Sequence, residues 1–122
     1  MDLMEIASEL VAGCRENREA ENLDKLYASD AVSVEASDMG NGREIVGVDA
    51  IKGKHAWFGS MYEILDSEVG GPFPHGDDRF AVTFKMNAKN KATGEISDME
   101  EVAIYHVAKG KIVREEFFYA GE

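Results

Sequence analysis

The chain has 122 residues, 44% hydrophobic and 30% charged, a balance that suits one folded domain and excludes a disordered segment. Twenty-four acidic side chains against thirteen basic ones leave a net charge of −11. That field repels nucleic-acid backbones and anionic membrane surfaces, and its ordinary consequence is solubility. No stretch approaches the roughly 20 apolar residues of a membrane span. The start, Met1-Asp2-Leu3-Met4-Glu5, lacks the basic flank and apolar run of a signal peptide. A cytoplasmic setting is therefore expected, with Cys14 as a small buried residue that has no disulfide partner.

From Leu3 to about Asn17 the apolar residues Leu3, Ile6, Ala7, Leu10, Val11 and Cys14 recur at steps of three and four, which predicts a helix. A short second helix is expected from about Asn22 to Ala28. The alternation of Ala31 to Ala36 predicts a strand, and Ser37 to Arg43, holding Asp38, Gly40, Asn41 and Gly42, predicts a turn. Glu44-Ile45-Val46 returns as a short strand. Asp49 is placed to cap a third helix running to about Met61, with Ile51, His55, Phe58 and Tyr62 as its apolar stripe. Strands are then expected around Ile64 to Val69, along Phe80 to Met86, from Met99 to Val107 and from Ile112 to Tyr119. Gly70 to Asp78 reads as a loop, either a lid or a wide hairpin connection, while Asn90 to Gly94 and Lys109-Gly110 are hairpin turns. Helices first and strands later argue for α+β.

Three stretches carry a resemblance: Asn22-Leu23-Asp24-Lys25-Leu26-Tyr27-Ala28-Ser29-Asp30-Ala31-Val32, Gly47-Val48-Asp49-Ala50-Ile51 and Gly110-Lys111-Ile112-Val113. In this order they resemble the nuclear-transport-factor-2-like superfamily, within it the SnoaL-like branch of polyketide cyclases and ketosteroid isomerases. The resemblance spans nearly the whole chain and implies one SnoaL-like domain over residues 1–122. It implies a cone-shaped, strongly curled antiparallel sheet around a pocket, with three helices from the N-terminal half on the concave side. Because this fold hosts isomerases, cyclases, dehydratases and plain binding modules, it does not settle the activity.

Carried over residue by residue, the resemblance puts Glu35 at the general-base position of ketosteroid isomerases and His55 where they hold a tyrosine. Their oxyanion donors fall at Cys14 and Ala103, which cannot donate in that way, so classical steroid isomerisation is not expected. SnoaL-like cyclases use a carboxylate on a late strand. If Ala103 faces inward, strand parity puts Met99, Glu101 and Tyr105 on the same side. Val113, Glu115, Phe117 and Tyr119 are the inward set of the last strand.

The candidate catalytic residues are thus Glu35, His55, Glu101 and Glu115, with Glu35 taking a proton and His55 relaying it. Trp57, Phe58, Phe80, Val82, Phe84, Tyr105, Phe117 and Tyr119 are expected to wall the pocket. For each there is a plainer alternative: a solvated strand-end Glu35, a hydrogen-bonded core His55, aromatic residues that only pack. His75 with Asp77 and Asp78 is too local a cluster to predict a metal, and no cofactor motif is present. Two functions stay open: a cofactor-free acid/base enzyme acting on a small, largely apolar carbonyl compound, or a non-catalytic binding or dimerisation module. Val102, Ile104 and Phe118 share the outer parity, so a homodimer through the sheet is expected.

Overall fold

The computed structural model describes residues 1–38, 40 and 42–119. Helix α1 spans Leu3–Arg15, and a capping box fixes its start. The Asp2 side chain accepts from the Glu5 amide, and the Glu5 carboxylate accepts from the Asp2 amide, each at 2.9 Å. Its buried face is Ile6, Ala7, Leu10 and Val11. Helix α2, Glu19–Leu26, begins three residues before Asn22 and runs straight into β1, Tyr27–Val34. Tyr27 and Ala28, expected in the helix, therefore open the strand, because the Tyr27 backbone pairs with Ile112. Met39 and Asn41, in the turn expected after β1, lie outside the described residues. Asp38 Oδ1 caps that turn by accepting from the amides of Gly40 and Gly42.

Strand β2, Glu44–Val46, leads through Gly47 (φ 102°) into helix α3, Val48–Met61. Four strands follow: β3 Tyr62–His75, β4 Arg79–Asn90, β5 Ile96–Ala108 and β6 Lys111–Phe118. Strand β3 extends well past the expected Val69. Gly70 pairs with Thr83, Phe73 with Ala81 and His75 with Arg79, so the glycine- and proline-rich segment is a hairpin arm and not a lid. Pro72 and Pro74 are tolerated because β3 is an outer strand, where a missing N–H costs no ladder bond on the open side. Gly70 is required by close approach: a Cβ there would stand 2.4 Å from Thr83 Oγ1.

The six strands form one sheet in the order β2-β1-β6-β5-β4-β3. All neighbouring pairs are antiparallel except β1 with β6, which run parallel. The sheet is thus mixed, which corrects the expected antiparallel sheet. The long crossover from β1 through α3 to the last strand permits a parallel pairing that local patterning does not reveal. Nor is the sheet strongly curled; it stays open, with β2 and β3 as its two edges.

The helices cover one face. Ile6, Leu10, Leu23, Leu26, Tyr27, Ile51, Phe80, Val82, Tyr105 and Ile112 form the core between them and the sheet. Each such large apolar side chain contributes about 1.5–3 kcal/mol by leaving water. Phe80 and Tyr105 stack at 5.0 Å across β4 and β5, register partners on the same face.

Candidate active site

Strand β6 brings Glu115 into the centre of the inner face, opposite Tyr105 on β5 and beside Ser33 on β1. The carboxylate is only 1% exposed. A buried carboxylate is tolerated only when its lone pairs are engaged. Here Oε1 accepts from the Tyr27 hydroxyl and Oε2 from the Ser33 hydroxyl at 2.7 Å.

Helix α3 places Lys54 over the same spot. Its ammonium donates to Ser33 Oγ at 2.7 Å, pairs with Glu35 Oε1 at 3.0 Å and stands 4.0 Å from Glu115 Oε2. The Phe117 ring lies beneath it, with its centroid at 4.8 Å, a cation–π contact. Glu35 follows β1 directly, its backbone amide donating to Arg43 O at 2.8 Å. Its other carboxylate oxygen, Oε2, accepts from the Tyr119 hydroxyl at 3.4 Å.

Glu101 on β5 is the second carboxylate on the inner parity, opposite Phe84. Burial pushes its pKa up to about 7, with the Glu35 carboxylate acting in the same sense, Lys54 opposing and Glu115 adding to the rise. Tyr119 is raised as well, first by burial and then by the charge of Glu35. Both Glu101 and Tyr119 line an open groove of about 330 Å³ at the end of β6, with Phe84, Val102 and Phe118 as its apolar wall and Thr83, Lys85 and Glu100 as its polar rim. That volume suits a small organic molecule.

The structure brings Glu35, Glu101, Glu115, Phe84, Phe117 and Tyr119 together. His55 is exposed and makes no hydrogen bond among the described residues. Trp57 is 54% exposed and Phe58 stacks on Tyr62, its centroid 5.0 Å away. Phe80, Val82 and Tyr105, expected in the pocket wall, are instead buried in the helix–sheet core. Burial pushes the Cys14 thiol up to about 12, which disfavours the thiolate. Among the described residues, no three His, Cys, Asp or Glu side chains gather as metal ligands, and no helix is long and apolar enough to cross a membrane.

Lys54, Ser33 and Tyr27 were not singled out from the sequence. A signal existed for each. Ser33 shares the parity of Glu35, Tyr27 lies in the helix-to-strand corner, and Lys54 stands three residues after buried Ile51 and four before Phe58.

A sequence model of the SnoaL-like domain matches residues 1–119. No curated protein matches the sequence significantly. Among solved structures, a Mesorhizobium loti protein with the provisional name SnoaL-like polyketide cyclase, carbohydrate phosphatase given beside it, is 35% identical; the match covers 98% of this chain and 100% of that one, with a TM-score of 0.90. A Bacillus subtilis protein provisionally called an isomerase is 17% identical over 98% of this chain and 90% of that one, with a TM-score of 0.80. A Pseudomonas putida protein provisionally called a polyketide cyclase is 18% identical over 98% and 92%, with a TM-score of 0.73. The last two show the shared fold. The first, together with the match over nearly the full length, shows more: this chain belongs to the SnoaL-like domain family.

Proposed function

We propose that the chain is a cofactor-free acid/base enzyme of the cyclase, isomerase or dehydratase type, acting on a small, largely apolar carbonyl compound. The observation that carries this reading is Glu101, its carboxyl held at about 7, among the residues that line a 330 Å³ groove. A carboxyl at that pKa is a competent base and, once protonated, a competent acid near neutrality. Ionised Glu101 takes a proton from the carbon beside the carbonyl, and the C–H electron pair moves onto the carbonyl oxygen as an enolate. The Tyr119 hydroxyl, on the same groove and held only at 3.4 Å by Glu35, turns its one proton from Glu35 to that oxygen as the charge develops. Protonated Glu101 then returns the proton, at another carbon for isomerisation or to a new alkoxide for ring closure. Glu35, paired with Lys54, supplies fixed charge, so the base role expected for it passes to Glu101.

A phosphate ester fits poorly. It would meet the negative charge of Glu35 and Glu101 with the Lys54 ammonium already engaged, so the phosphatase attribution of the Mesorhizobium loti relative is not carried over. Non-catalytic binding in the same groove is the second reading, favoured by the absence of oxyanion donors at Cys14 and Ala103. We also propose that the chain pairs through the sheet, where Val102 (38% exposed) and Phe118 (48%), which also line the groove, leave apolar surface.

Incubation with a panel of small ketones in heavy water separates the two readings. Catalysis predicts deuterium at the α-carbon, a rate that climbs through about pH 7, and a loss of about 100-fold or more in Glu101→Gln. Binding without exchange by the native protein, or an equally active Glu101→Gln variant, would refute the catalytic assignment.

A further inference from the structure

Four hydrogen bonds and one ion pair link six side chains from the core to the groove. The Tyr27 and Ser33 hydroxyls donate to the two oxygens of Glu115, Lys54 donates to Ser33 and pairs with Glu35, and the Tyr119 hydroxyl donates to Glu35. The donor sense is consistent throughout. Glu115 accepts at both oxygens and donates nothing, so Ser33 must spend its proton on it and is left with lone pairs for Lys54. Glu115 is buried, and Ser33 is fully so, whereas Glu35 and Tyr119 are only half-buried. The anchored end is therefore the core end, and the adjustable end is the one at the groove.

We propose that Lys54 is a positioning residue, seated by the buried Ser33–Glu115 pair so that it fixes the Glu35 carboxylate and, through it, the Tyr119 hydroxyl at the groove. Lys54 has four partners within reach, and they leave it little freedom: Ser33 at 2.7 Å, Glu35 at 3.0 Å, Glu115 at 4.0 Å and the Phe117 ring at 4.8 Å. A lysine stem alone carries much rotamer entropy, and these contacts remove it in the folded state. Orientation of the groove donor is thus set from inside the molecule. The assignment rests on the acid/base reading for its functional meaning, but its geometry is separable from that reading.

Ser33→Ala is the informative variant because it changes no charge. The charged groups facing Glu101 stay as they are: Glu35 after β1, Lys54 on α3 and Glu115 on β6, with Tyr105 and Tyr119 nearby. With Tyr119 fluorinated on its ring, the ¹⁹F resonance reports its hydroxyl environment, and carboxyl NMR reports Glu101. If Ser33 seats Lys54, Ser33→Ala shifts the Tyr119 resonance. It also moves the Glu101 midpoint upward by a few tenths of a unit or more, since Lys54 opposes that rise. Ser33→Thr restores both, and Lys54→Met moves both further in the same direction. A folded Ser33→Ala protein with native Tyr119 and Glu101 signals overturns the proposal; should Lys54→Met not fold, Lys54→Gln serves in its place. An ordinary Glu101 midpoint in the native protein would sink the acid/base reading instead, while the Tyr119 response to Ser33→Ala still decides the positioning.

Discussion

At the scale of single residues, the site turns on how differently two carboxylates are treated. Glu115 is sealed in, yet each of its oxygens has a donor. Glu101 is only half-buried and has no such partner among the described residues, so the loss of water and the neighbouring charges raise it to about 7. This has a consequence for stability. Because the folded-state pKa lies above the ordinary value of 4.5, the folded chain holds the proton more tightly than the unfolded one. Stability therefore falls as pH rises from 4.5 to about 7, and the full cost is present above 7. Glu101→Gln removes the ionisable group, so it should stabilise the protein at pH 8 by about 1–3 kcal/mol and change little at pH 4. Urea denaturation at the two pH values checks this; an equal effect at both would contradict it. Glu101 and Glu115 were legible from strand parity. Lys54 was harder to read, because one lysine on a helix normally marks the wet side; Ser33, Glu35, Glu115 and the Phe117 ring opposite turn it inward.

At the scale of elements, helices were easier to read than strand ends. The apolar stripe of α1 predicted its buried face, while β1 starts at Tyr27, inside what local pattern assigned to a helix. Pairing decides such boundaries, and pairing partners are remote in sequence. The same holds for β3, whose proline and glycine content suggests a loop until β4 is laid beside it. The parallel contact of β1 with β6 joins residues more than eighty positions apart, beyond the reach of any local period. The Phe80–Tyr105 pair fastens β4 to β5 under the helices. Phe80→Ala should cost about 3–5 kcal/mol, as expected for an aromatic removed from a sealed core. A loss below about 1 kcal/mol in chemical denaturation would show that Phe80 faces a space the structure does not contain.

At the scale of the whole molecule, the α+β class and family membership were readable from element order and three short stretches, and the match over residues 1–119 establishes the family. The charge of −11 opposes self-association, while the apolar Val102 and Phe118 favour it. A dimer through the sheet should therefore tighten as salt screens the like charges, and Phe118→Glu should abolish it. Sedimentation at low and high ionic strength measures this, and a native monomer at both would dismiss the pairing. The acid/base reading of the groove depends on one carboxyl group. Its titration by carboxyl-detected NMR on the native protein is the most direct test: a Glu101 midpoint at about 7 supports proton transfer at neutral pH, and a midpoint at the ordinary 4.5 contradicts it.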